Sequence, residues 1–210
     1  MINSKAAPFL PGIFLLICFI FFSLLVQLNV FTPLDYQATA GLQGIISRKL
    51  DFIFSLLSLV GSFEIASVFL LVIAIIIRKL NTIFVLFFFG LFHAIEFFGK
   101  YFVSHPGPPR MLVRYDIPFS FPTSYIQPGS SYPSGHLTRT AFISLIIAIF
   151  VRRSKKFSAF QKQIIYFLII IFDLAMFVSR IYLGEHWLSD VIGGSLLGAA
   201  MGILSFAFLF

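Results

Sequence analysis

Residues 133–156 read PSGHLTRTAFISLIIAIFVRRSKK. Proline and glycine open the stretch, an apolar run carries it to Val151, and four cations in five positions close it. The run over 134–151 is long enough for a membrane helix, which needs ~20 residues. Arg152, Arg153, Lys155 and Lys156 mark its far end as cytoplasmic, because Lys and Arg in short loops are retained there. His136 therefore opens the helix on the opposite side.

Working outward, five more apolar stretches can be drawn, at about 9–30, 62–77, 82–103, 164–181 and 187–210. The expected fold is all-α: a polytopic bundle of six transmembrane helices with both termini cytoplasmic, forming one membrane-embedded domain over 1–210. The gaps at Lys5, at Arg78-Lys79 and at 152–162 are basic and free of acids, whereas 31–61, 104–133 and 182–186 each hold an acid. Segment 50–60 is read as an interfacial helix, the alternative being the outer start of the second span. The first run resembles a signal peptide, but it is too long, and Ala38-Thr39-Ala40 lies too far beyond it for a cleavage site.

Composition agrees. Of 210 residues, 59% are hydrophobic and 11% charged, against ~25% charged in soluble domains. The net charge of +7 does not signal nucleic acid, since its cations sit in short gaps between spans and not on one solvated face. The single Cys18 excludes an internal disulfide and a cysteine metal cage. Gly194, Gly198 and Gly202 recur at every fourth position of the last span, a spacing that lets helix backbones approach.

Ionisable residues collect at the outer span ends, where they are expensive and point to function. Ser179-Arg180, His186 and Asp190 form the strongest element. His186 and Asp190, four apart, share a helix face, so the carboxylate can hold one imidazole nitrogen protonated and leave the other as a nucleophile. Pro133-Ser134-Gly135-His136 would start the fourth span with free N–H groups of Ser134, Gly135 and His136 outward, an anion site. Lys100 ends the third span, and the proline-rich Pro106–Arg110 stretch breaks that helix.

These elements resemble the signature of the type 2 phosphatidic acid phosphatase superfamily: Lys-x6-Arg-Pro, then Pro-Ser-Gly-His, then Ser-Arg-x5-His-x3-Asp. The second and third are complete here, and the motif region covers about residues 100–190. The resemblance implies a metal-independent, cofactor-free phosphatase acting outside the cytoplasm on a lipid phosphate or diphosphate: polyprenyl diphosphate, phosphatidylglycerophosphate or phosphatidic acid. It implies His186 as the nucleophile that forms a phosphohistidine, Asp190 as its orienter and His136 as the general acid. Lys100, Ser134, the Gly135 amide and Arg180 would hold the phosphoryl oxygens. Gly107 stands where the first motif has its arginine. Arg110 is expected to fill that gap, with Arg114 second.

Alternatives are a non-catalytic lipid-phosphate binder, a lipid phosphotransferase, and a metal site of His136, His186 and Asp190, disfavoured by the cations Lys100 and Arg180 nearby. Glu96 is expected to pair with Lys100, and His93 to be interior. Asp173 has no nameable partner, Arg139 serves either the site or lipid headgroups, and Glu185 is read as solvated.

Overall fold

The computed structural model describes residues 9–77, 82–119 and 130–209. They form eight α-helices and two 3-10 turns. The helices are α1 (Phe9–Gln27), α2 (Thr32–Ile45), α3 (Asp51–Val60), α4 (Phe63–Ile77), α5 (Thr82–Phe102), α6 (Gly135–Arg153), α7 (Ala159–Tyr182) and α8 (Leu188–Leu209). Among the described residues no strand forms beyond an isolated bridge between Pro106 and Ser130.

Five helices (α1, α5, α6, α7 and α8) are each long and apolar enough to cross a membrane. A sixth span exists only if α3 and α4 are counted together, as a pair bent by 48°. The expected span over 62–77 is thus too short by itself: α4 has 15 residues, about 22 Å at 1.5 Å per residue. Segment 50–60, read as interfacial, forms α3, and only joined to it does α4 reach the length and apolarity of a span. The chain is a multi-pass membrane protein, and the bulky side chains exposed along its spans, such as Phe14, Phe69 and Phe167, suit lipid contact.

Two features set the positions of the helix ends. The α6–α7 connection is stopped by a capping box, in which Ser158 Oγ accepts from Gln161 N while the Gln161 side chain accepts from Ser158 N. The connection from α7 to α8 turns at Gly184, whose φ is +65°. A Cβ there would also lie 2.2 Å from the Leu112 carbonyl oxygen, so both backbone conformation and space require glycine.

The centre of the bundle is the α6–α8 seam. A Cβ on Gly194 would sit 2.3 Å from Ser134 O, and one on Gly198 2.2 Å from Thr138 O. The glycines therefore bring the two backbones into direct contact, as their spacing foretold. α1 packs antiparallel to α8: Phe9 meets Phe208, Gly12 meets Leu204, and Ser23 hydrogen-bonds Tyr132 next to the start of α6. Consequently the described ends of the chain lie at the end of the bundle that holds the basic α6–α7 connection. The starts of α6 and α8 and the ends of α5 and α7 lie at the other.

Candidate active site

Helix α8 begins by capping itself. The third helical residue, Asp190, turns its Oδ2 back to accept the Trp187 N–H at 2.9 Å, satisfying one of the donors every helix start leaves open. The same oxygen lies 3.4 Å from His186 Nδ1. His186 thereby has Nδ1 against a carboxylate and Nε2 free, in a ring only 9% exposed. The backbone N–H groups of Glu185 and His186 both donate to Arg180 O, which folds the turn onto the end of α7.

Opposite it, the His136 ring stands 6.4 Å from the His186 ring, centroid to centroid, at 61°. Ser134 is the N-cap of α6, but its own N–H donates to Asp190 O at 3.0 Å. The expected set of three free amides is therefore reduced to those of Gly135 and His136. The bond that removes the third ties the two motifs together through their backbones.

The cations gathered around the His136 ring are Arg180, Arg139 and Lys100. Arg180 is fully buried, with Nη1 on the Glu185 carboxylate and Nη2 without a partner among the described residues. Ser134 Oγ, equally buried, also lacks a partner among the described residues. Leaving a buried donor unpaired costs ~1–3 kcal/mol, which fits a site built to receive acceptor oxygens. Glu185 is thus not solvated: the tight turn carries it back onto Arg180.

Glu96 collects two further cations. Lys100 Nζ is 3.9 Å from Oε1, the expected i,i+4 pair, and Arg139 Nη1 is 3.5 Å from Oε2. Arg139 also donates from Nε to Gly61 O at 2.8 Å. Gly61 and Gly135 allow this layering, since a Cβ on Gly135 would meet Glu96 Oε1 at 2.1 Å and one on Gly61 would meet the His136 ring at 3.0 Å. Arg139 is therefore buried against Glu96 beside the start of α6 and does not reach out to lipid headgroups, a question the sequence left open.

Arg110 is not brought to this cluster. It lies on a 3-10 turn (Arg110–Leu112) with its side chain exposed. Arg114 stacks over the Tyr182 ring at 5.1 Å and donates to Gln43 O, so it does not pair with Asp116. Asp173 has a partner after all, accepting from Ser144 Oγ at 2.6 Å. His93 is interior as expected, bonded to Phe89 O at 2.7 Å. Tyr115, which sequence reasoning passed over, lies beside the Arg180–Glu185 pair; burial, then Glu185, pushes its phenol above the ordinary range.

Fold and site together define a helical membrane protein with two facing histidines in a cationic cluster at one membrane-parallel end. Residues 78–210 match the family model described as PAP2 superfamily, and the chain belongs to that superfamily. Phosphatidylglycerophosphatase B of Bacillus subtilis (strain 168) is 34% identical over 74 residues, 35% of this chain and 36% of that protein's length. Two crystal structures share the fold. The first transmembrane PAP2-type phosphatidylglycerolphosphate phosphatase from Bacillus subtilis superposes with a TM-score of 0.77 at 20% identity, covering 94% of both chains. Aquifex aeolicus LpxE gives 0.61 at 23% identity, over 82% of this chain and 94% of its own.

Proposed function

We propose that the protein is a metal-independent lipid phosphatase that works through a phosphohistidine on His186. The observation that carries this is the pair of buried, unpartnered donors, Ser134 Oγ and Arg180 Nη2, in a cluster where His186 keeps Nε2 free opposite His136. The Nε2 lone pair attacks phosphorus, and the bond from phosphorus to the lipid oxygen breaks. His136 gives its proton to the departing oxygen. Water then attacks the phosphohistidine, His136 takes a proton from it, and the P–N bond breaks to release inorganic phosphate. Lys100, Arg139, Arg180, Ser134 and the Gly135 amide neutralise the phosphoryl oxygens, the main task in phosphoryl transfer.

A lipid substrate suits the surroundings. A cavity of about 330 Å³ between α4, α6 and α7 reaches Gly61 and Arg139 and is lined mainly by apolar side chains such as Ile65, Phe69, Ile143 and Phe172. Such a groove fits a hydrocarbon tail whose headgroup lies at the histidines. Phosphatidylglycerophosphate heads the candidates because the Bacillus relatives are named for it, with phosphatidic acid and polyprenyl diphosphate behind. Purified protein is expected to release phosphate from at least one of the three in EDTA, and vanadate, a mimic of the pentacoordinate state, is expected to inhibit. Activity lost in EDTA and restored by zinc or manganese would move the assignment to a metal mechanism.

The site is proposed to face away from the cytoplasm, because the basic α6–α7 connection lies at the opposite end of the bundle. In a Cys18→Ser background, a membrane-impermeant maleimide added to intact cells should label Asp116→Cys and spare Lys156→Cys. Labelling of Lys156→Cys alone would invert the orientation.

A further inference from the structure

Asp190 has one oxygen in use and one in reserve. Oδ2 serves Trp187 N–H and His186, while Oδ1, in a side chain with no exposure, has no hydrogen bond among the described residues. His105 Nε2 lies 3.6 Å from Oδ1. That ring nitrogen is also 3.1 Å from Ser189 Oγ and 3.6 Å from Asp35 Oδ2. Asp35 in turn accepts from Ser189 twice, from N to Oδ1 and from Oγ to Oδ2, each at 2.8 Å. Since the Ser189 hydroxyl donates to Asp35, its oxygen is left to accept, so Nε2 of His105 carries a hydrogen. One N–H thus faces a hydroxyl and two carboxylates.

The four side chains are nearly sealed, at 2% exposure for Asp35, 5% for His105, 1% for Ser189 and 0% for Asp190. They come from three separate segments: α2, the α5–α6 connection and the start of α8. Burial raises the Asp35 carboxyl above its ordinary range, and the two Ser189 bonds, then His105, pull it back. Two buried carboxylates this close to one imidazole are costly unless a proton is held between them. His105 is itself held in place, with its carbonyl accepting from Ser131 N and Oγ, and Pro106 O accepting from Trp187 Nε1 at 2.8 Å.

We infer that His105 and Asp35 are positioning residues for the phosphoryl transfer: the Asp35-anchored His105 N–H fixes the free oxygen of Asp190 and so the angle at which Asp190 presents its other oxygen to His186. This rests on the assignment of His186 as nucleophile. As His186 takes the phosphoryl group its ring becomes cationic, and Asp190 must stay anionic and correctly turned to balance it. Without the His105 contact the Asp190 carboxylate is held at one oxygen only, by Trp187 N–H and His186, so its angle can drift about that anchor, and an error near 1 Å at reacting atoms commonly costs ~10²-fold.

The test uses the purified full-length protein with phosphatidylglycerophosphate. His105→Ala should lower kcat by ~10²-fold while KM stays near the parent's. Asp35→Asn should show the same split, and His105→Gln, which keeps an N–H near the Nε2 position, should recover part of the loss. In an Asp190→Asn background, His105→Ala should cost little more, because the two act as one unit. Parent-like kcat in His105→Ala, a change confined to KM, or an undiminished loss in the Asp190→Asn background would each overturn the inference. Should His105→Ala fail to fold by gel filtration, Asp35→Asn and His105→Gln decide the matter by the same kcat and KM split. A His186→Ala enzyme that still turns over would bring down the functional assignment itself, whereas a dead His186→Ala beside an undiminished His105→Ala removes only the positioning role.

Discussion

Phosphate release is expected to vanish in His186→Ala, a loss on the order of 10⁴ or more, as when a nucleophile is removed from a catalytic unit. No other group stands ready to take its place. The second imidazole, His136, faces His186 at 6.4 Å, and in the proposed mechanism it serves the departing oxygen. The fold should survive, because the Asp190 bond to Trp187 N that starts α8 does not involve the imidazole. Acid-stable folding controls are unnecessary when gel filtration and a thermal melt match the parent. Quenching the parent enzyme during turnover of ³²P-labelled lipid should trap an acid-labile phosphoprotein, and the variant should trap none. Equal turnover in the two proteins would sink the phosphohistidine route.

Arg139→Ala should cost ~10²–10³ in rate, the usual effect of deleting one preorganised donor from a site where charge develops. The sequence expectation gave this role to Arg110, three residues past the gap at Gly107. The structure leaves Arg110 exposed on its 3-10 turn and puts Arg139 against Glu96, one helical turn from His136. Arg110→Ala should therefore leave the rate near the parent's. Because Arg139 also serves Gly61 O, its loss could act through the α3–α4 bend, and Arg139→Lys separates the two effects. Retained charge should restore much of the rate even if the melt stays lowered. A steep loss in Arg110→Ala with a mild one in Arg139→Ala would return the missing arginine's role to the loop.

The elements that carry His136, Arg180, His186 and Asp190 were readable because charge is rare in apolar runs, although His186 lies in the turn ahead of α8 and not on the helix itself, as its spacing from Asp190 had suggested. The seam glycines were readable because their spacing follows the helical period. What was not readable depended on rotation and on distant contact. Helix α2 has no apolar run, so Asp35 lay in a gap read only for its charge, and its partner Ser189 is 154 residues away. His105 sat in a proline-rich stretch that announced a loop and nothing about its neighbours. The side chosen by Arg139 follows from how α6 is turned once Gly135 admits Glu96. Glu185 was misread because a helix was assumed where the chain makes a tight turn, and the turn delivers its carboxylate to Arg180.

The glycine seam has a consequence for how the protein tolerates different bilayers. His136 rides on α6 and His186 sits in the turn just ahead of α8, two helices whose backbones touch at Gly194 and Gly198 and are stitched by the Ser134–Asp190 bond. A thinner or thicker membrane tilts such a pair as a unit, changing the depth of the histidines but hardly their separation. Lipid composition should then alter how readily a headgroup arrives, a matter of KM, and leave the chemical step itself almost untouched.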